Sequence, residues 1–224
     1  MLFRNNTVLP YLSLLSILVA CGGNDDKPSQ GCQLGDSSGC EGGQICEQVE
    51  NSQPACFAPL LLRGRVLDSE TTKGIASARV VARDVNGELV SRDVAISDAD
   101  GRYALSIPAP RKQDGTPILT EALLRADAKA HATFPSGLRV ALPVDTSAPR
   151  KEAAAWVVEN GSTDISLDPV TGSESLGSVS GRVEAAAAPG ALVVAGEKSS
   201  IAGRDGTFEI FDVAAGAIEV RGYK

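Results

Sequence analysis

The sequence predicts an all-β chain: two β-sandwiches in tandem, preceded by a signal peptide, a flexible tether and a small disulfide-rich segment. Three observations carry this. From Leu60 onward apolar residues recur at every second position, which is the period of a half-buried strand. Turn-forming pairs separate the runs, at Asn86-Gly87, Asp100-Gly101, Asp114-Gly115 and Asn160-Gly161, with prolines at 108, 110, 117, 135, 143 and 149. The third is an internal repeat.

At the N-terminus, Met1 to Thr7 carries one positive charge, Arg4, and no acid. Leu9 to Ala20 is apolar apart from two serines and Tyr11, too short to span a bilayer, which needs about 20 residues, and the right length for a secretory signal. The run closes on Leu18-Val19-Ala20-Cys21, which resembles the lipobox of bacterial lipoproteins. The resemblance implies cleavage before Cys21 and acylation of that cysteine, hence a membrane partner through a lipid anchor. Two or more acyl chains anchor stably, because each buried CH2 contributes about 0.8 kcal/mol. Gly22 after the cysteine resembles the outer-membrane sorting pattern, which implies an outer-membrane protein on the periplasmic or cell-surface side. The stretch 21–31 then reads as a lipidated tether: Gly22 to Gly31 has no hydrophobe beyond glycine and a mean reach of roughly 17 Å.

Cys32, Cys40, Cys46 and Cys56 follow in a stretch, 32–56, rich in Gly, Ser, Asp and Gln. Outside the cytoplasm an even cysteine count in such a stretch reads as two disulfides, with three connectivities open. Zinc is disfavoured because no C-x2-C pair is present. The segment is similar to short cysteine-rich stretches after the lipobox in some lipoproteins of myxobacteria.

The first sandwich is expected over 60–168. Leu62, Gly64 and Val66 alternate with Arg63, Arg65 and Leu67; Ala76, Ala78, Val80 and Ala82 form the next strand; Tyr103, Leu105 and Ile107 a third. In Glu121 to Phe134 every even position from Ala122 is apolar, while Arg125, Asp127, Lys129, His131 and Thr133 are odd, so one long strand is expected despite the helix propensity of alanine and leucine. Leu138-Val140-Leu142, Trp156-Val157-Val158 and Ile165-Leu167 complete it. After a linker at 169–177, the second sandwich occupies 178–224. It repeats the first in order: Gly64-Arg65-Val66 returns as Gly181-Arg182-Val183, Ala78 to Ala82 as Ala191 to Ala195, and Asp100-Gly101-Arg102-Tyr103-Ala104-Leu105 as Asp205-Gly206-Thr207-Phe208-Glu209-Ile210. This pattern resembles the carboxypeptidase regulatory-like (prealbumin-like) domain family, which implies a prealbumin-like or Ig-like sandwich and is uninformative about activity. The second copy is shorter than the first and is expected to be incomplete.

Composition narrows function. Of 224 residues one is histidine, so no two-histidine metal or acid/base site can be built. A formal charge of −7 opposes nucleic-acid binding. Ser97 to Gly101 lacks the ligand spacing of a calcium loop, and Gly196-Glu197-Lys198-Ser199 lacks a phosphate cradle. His131, among polar neighbours, reads as a solvated residue. Neither a catalytic residue, a metal nor a cofactor is expected. The expected role is that of a non-enzymatic surface lipoprotein whose sandwiches act as spacer, adhesion or protein-binding units. Alternatives are a carbohydrate-binding module related to starch-binding sandwiches, with Trp156 as its candidate stacking platform, and an accessory segment of a larger enzyme or transport complex.

Overall fold

The computed structural model describes residues 31–35, 37–118, 121–136, 140–184 and 188–224; Cys21 and the signal segment lie outside them. The described residues contain strands and one short 3-10 turn but no α-helix, and no helix long and apolar enough to cross a membrane.

The Cys-rich segment forms a hairpin of β1 (Ile45–Glu47) and β2 (Ala55–Phe57), with Cys46 opposite Cys56. The first sandwich is built from β3 (Leu60–Asp68), β4 (Arg79–Arg83), β5 (Ala95–Ile96), β6 (Arg102–Ile107), β7 (Leu123–Asp127), β8 (Arg150–Glu152), β9 (Ala155–Val158) and β10 (Ile165–Leu167). One sheet centres on β3, which pairs antiparallel with β6 on one edge and parallel with β9 and then β10 on the other. The second sheet has the order β5-β4-β7. Leu60, Leu62, Val66, Val80, Ala82, Tyr103, Leu105, Leu124, Ala126, Val158, Ile165 and Leu167 share the core between them. The inward residues are those the period-two alternation singles out.

The second repeat contains β11 (Gly177–Arg182), β12 (Leu192–Ala195), β13 (Lys198–Ile201), β14 (Thr207–Val213) and β15 (Val220–Tyr223). These correspond one for one to β3, β4, β5, β6 and β7. Antiparallel β3–β6 and β11–β14 place Gly64 opposite Tyr103 and Gly181 opposite Phe208. Antiparallel β4–β5 and β4–β7 recur as β12–β13 and β12–β15. The Asp-Gly turns are also equivalent. Gly101 and Gly206 have φ of 78° and 81°, and their carbonyls accept the N–H of Val66 at 2.8 Å and of Val183 at 2.9 Å. A smaller core of Ala191, Val193, Ala195, Ala202, Phe208, Ile210 and Val213 fills this repeat.

Two expected strands differ. The long strand over 121–134 stops at Asp127, where the chain turns, and Phe134 comes back to exchange both backbone hydrogen bonds with Ala126 at 2.8 and 3.0 Å. The turn contains Ala130 at φ 61°, whose N–H donates to both carboxylate oxygens of Asp212 at 3.0 and 2.9 Å. Residues directly opposite in an antiparallel pair face the same side, so even-numbered Ala126 and Phe134 keep their parity and the alternation runs through the reversal unbroken. The second difference is Leu138-Val140-Leu142. Leu138 is outside the described residues, and Val140 and Leu142 are 72% and 75% exposed and belong to no strand. Pro135 and Pro143 bracket this stretch, and a proline has no N–H to give a ladder.

Close approach explains one glycine. A Cβ on Gly64 would stand 2.1 Å from the Thr163 carbonyl oxygen, in the segment joining β9 to β10. Gly64→Ala is expected to cost about 3 kcal/mol through forced backbone movement, whereas Gly161→Ala, with nothing within 4 Å, leaves the urea midpoint nearly unchanged. Equal midpoints for the two variants would contradict this packing.

Candidate functional site

A buried polar site joins the Cys-rich segment to the first sandwich. Disulfides link Cys32 to Cys46 and Cys40 to Cys56, which selects the interleaved connectivity from the three possible. The sulfurs of Cys32, Cys40 and Cys56 lie within 4.8 Å of one another, so the two bridges pack side by side; their sulfurs are bonded to each other and not free as thiolate ligands. From β1 the fully buried Glu47 reaches into the sandwich. One carboxylate oxygen accepts the N–H of Ala109 at 3.0 Å and the other accepts from Nε of Arg111. The buried Arg111 guanidinium also donates to the carbonyls of Ala58 at 2.8 Å and Gly115 at 3.3 Å and stands 5.3 Å above the Phe57 ring. Backbone bonds finish the join: Arg111 N–H to the Gln48 carbonyl, and Glu50 N–H to the Arg111 carbonyl, both 2.8 Å. Burial pushes the Glu47 carboxyl above its ordinary range, against the hydrogen bonds and charge of Arg111 that favour its ionised form.

Beside this pair lies an apolar cavity of about 280 Å³, lined by Leu34, Val90, Ile107, Pro108, Pro110 and Ala122 among others. It can hold a small apolar group. A second cavity, of about 400 Å³, lies between the repeats and is lined by Arg79, Arg92, Arg204, Asp93 and Asp205. Arg79 Nη2 is buried there without a hydrogen-bond partner among the described residues. Burial lowers the pKa of its guanidinium, and Asp127, Glu209 and Asp205 act in the opposite sense.

The expected bystander His131 is held more firmly than a solvated residue. Its Nε2 is 3.1 Å from Asp68 Oδ2 and its Nδ1 2.8 Å from the Lys129 carbonyl, so both ring nitrogens face oxygen acceptors. The reason is the turn at Ala130, which lifts His131 off the expected strand and against the C-terminal end of β3. Asp68 also accepts the Thr71 N–H at 2.7 Å and the Thr71 hydroxyl at 2.8 Å. These bonds, with that of His131, hold the Asp68 carboxyl down at about 2. The neighbouring polar residues are likewise engaged in structure. Arg125 grips Asp127 through two nitrogens at 2.9 and 3.1 Å and donates to the Ser199 carbonyl at 2.9 Å in the second repeat.

Trp156 is half-buried against the first core, opposite Leu60, with the Lys151 ammonium 5.9 Å from its ring centre. One face of the ring therefore meets a cation. In the loop expected not to bind calcium, Asp98 Oδ1 accepts the N–H groups of Asp100 at 2.9 Å and Arg102 at 2.8 Å, which is the work of a turn. Gly196-Glu197 is a two-residue hairpin loop between Ala195 and Lys198, with Gly196 at φ 62°. Sequence reasoning missed Glu47 and Arg111. Their one signal is a carboxylate set among the apolar Ile45, Cys46 and Val49.

No family model and no curated protein matches the chain.

Two predictions follow from these carboxylates. Arg111→Ala leaves Glu47 buried and unpaired and is expected to cost about 3–5 kcal/mol, while Arg102→Ala, in an exposed pair with Asp100, changes little; urea unfolding of both variants measures the difference. The depressed pKa of Asp68 contributes stability that is complete above its unfolded value near 3.8 and is lost as pH falls toward about 2. The stability gap between the wild type and Asp68→Asn should therefore be present at pH 5 and close as the pH falls toward 2. A gap unchanged down to pH 2 would contradict the assignment.

Proposed function

We propose that the protein is a non-enzymatic, lipid-anchored envelope protein in which a disulfide-stapled neck carries tandem β-sandwiches as spacer and protein-binding units. The observation that carries this reading is the Leu18-Val19-Ala20-Cys21 box at the end of a signal-length apolar run, followed by a tether and then cysteines that pair with one another. Two disulfides in a segment with so few hydrophobes fit an oxidising compartment. The likeness of both repeats to carboxypeptidase regulatory-like domains supports a scaffold role, since the repeated residues are strand, turn and core residues. The engaged ring nitrogens of His131 fit a structural part for that side chain. Trp156, packed on the core beneath Lys151, gives glycan stacking the weaker support.

Metabolic labelling with palmitate in a bacterial host tests the anchor. Label is expected in the wild-type chain and absent from Cys21→Ala. An unlabelled wild type, or equal label in both, would overturn it.

A further inference from the structure

Charge gathers at the cavity of about 400 Å³ between the repeats. Three pieces of chain bring it there. Arg79 comes from β4, Arg92 and Asp93 from the stretch before β5, and Arg204 and Asp205 from the Asp-Gly turn before β14. The wall is closely built. Arg204 Nε donates to the Ser91 carbonyl at 3.2 Å, and a Cβ on Gly203 would stand 3.1 Å from Val94 Cγ2. Both repeats therefore hold the side chains that face the cavity.

The guanidiniums in this wall lack counter-ions. Among the described residues Arg79, Arg92 and Arg204 form no ion pair, whereas Arg63, Arg102, Arg111, Arg125, Arg150 and Arg221 all do. Arg79 is the extreme case, half-buried and with its Nη2 sealed from water without an acceptor. A buried donor left unanswered costs free energy, and native structures pair nearly all of them. Asp127, Glu209 and Asp205 favour the charge on Arg79 without bonding to it. Asp127 is held instead by Arg125 and Thr133, and Asp205 by its own turn, where Oδ1 accepts the N–H and the hydroxyl of Thr207 at 3.0 and 2.8 Å. The lining thus sets three guanidiniums against Asp93 and Asp205, one negative charge short of balance. Beyond it, Glu209 acts on Arg79 and Arg182 on Asp205, and these two charges offset one another.

We propose that this cavity binds a small organic acid, whose single carboxylate completes the charge of the wall and is held by the guanidiniums of Arg79, Arg92 and Arg204. The planar fork of a guanidinium matches a carboxylate, and such charge-assisted bonds are about twice as strong as neutral ones. A phosphate monoester is the poorer ligand: it carries close to two charges at neutral pH and would overshoot the balance beside Asp93 and Asp205. The volume lies within the range of small-molecule sites and leaves room for a polar body of several carbons next to the carboxylate. A ligand held here touches both repeats, so it stabilises their seam by its binding energy. The proposal goes beyond the spacer role of the sandwiches and is independent of acylation at Cys21.

The probe is gluconate, a monocarboxylate, with glucitol as the uncharged compound of the same carbon skeleton, each titrated by calorimetry into the full chain in detergent at fixed ionic strength. Saturable binding of gluconate and none of glucitol is expected. Arg79→Gln should weaken gluconate binding about tenfold or more, and Arg204→Gln, at an exposed position, should do the same with the circular dichroism melt nearly unchanged. Asp93→Asn removes an acid from the wall and should tighten binding about threefold, a gain that a merely structural role for the arginines would not produce. A wild type that binds neither compound, or both equally, would overturn the proposal. So would sulfate displacing gluconate at equal concentration, which would mark an adventitious ion only. Should Arg79→Gln fail to fold, the other two variants decide: unchanged affinity in Arg204→Gln and Asp93→Asn would also overturn it. None of these outcomes alters the palmitate result, so failure here and failure of the anchor are separable.

Discussion

A guanidinium sealed from water needs its donors answered from within the protein, and Arg111 is answered by three separate stretches of chain. Glu47 comes from the stapled hairpin, Ala58 from the connection into the first sandwich, and Gly115 from the turn beyond β6. None of these stretches has a large core of its own. Burying the pair is expensive in isolation, because both ions lose their hydration, and it becomes tolerable only when the hydrogen bonds around it are complete. The pair therefore acts less as a source of stability than as a requirement that the neck, the connection and the sandwich assemble together. An alternative placement of the hairpin would leave a buried charge unanswered, and the disulfides fix the hairpin that presents Glu47.

The same economy of structure governs the repeats. Each uses an Asp-Gly turn whose glycine carbonyl accepts from the G-x-V strand, and each sets an aromatic opposite the glycine of that strand. Their seam is polar. Arg125 reaches Ser199, Ala130 is held by Asp212, and the Arg204 guanidinium donates to the Ser91 carbonyl at 3.2 Å. The turn at Ala130 thus belongs to both repeats at once, since its left-handed backbone is stabilised by a carboxylate from the other one.

Much of the fold was legible because strand burial has a period of two: the inward residues of β3, β6 and β7 can be read directly, and the repeat locates β11 through β14. The reversal between Asp127 and Phe134 was not legible, since antiparallel partners share a face and parity survives the turn. The exposed run at Val140 and Leu142 alternates like a strand, but its flanking prolines deny it a ladder. In the candidate site, the four cysteines announced the staple while their connectivity needed the geometry. Arg111, between Pro110 and Lys112, looks like any surface arginine, because what buries it arrives from more than fifty positions away: Glu47 and Ala58 are 64 and 53 residues distant. His131 was misread for the same reason, with Asp68 lying 63 residues upstream.

The interleaved disulfides also determine how the protein would respond to being pulled. Cys32 to Cys46 and Cys40 to Cys56 enclose loops whose ends are 14 and 16 residues apart. A load entering at Gly31 cannot draw out that chain, because tension passes through sulfur from Cys32 to Cys46 and by the short backbone run to Cys40 across to Cys56. The neck is thus a nearly inextensible link, and force is delivered to β2 and the start of β3 rather than dissipated in uncoiling. Among the described residues, any give must come from shearing strands within the sandwiches, which makes the stapled segment a coupling of constant length that hands a load on to them undiminished.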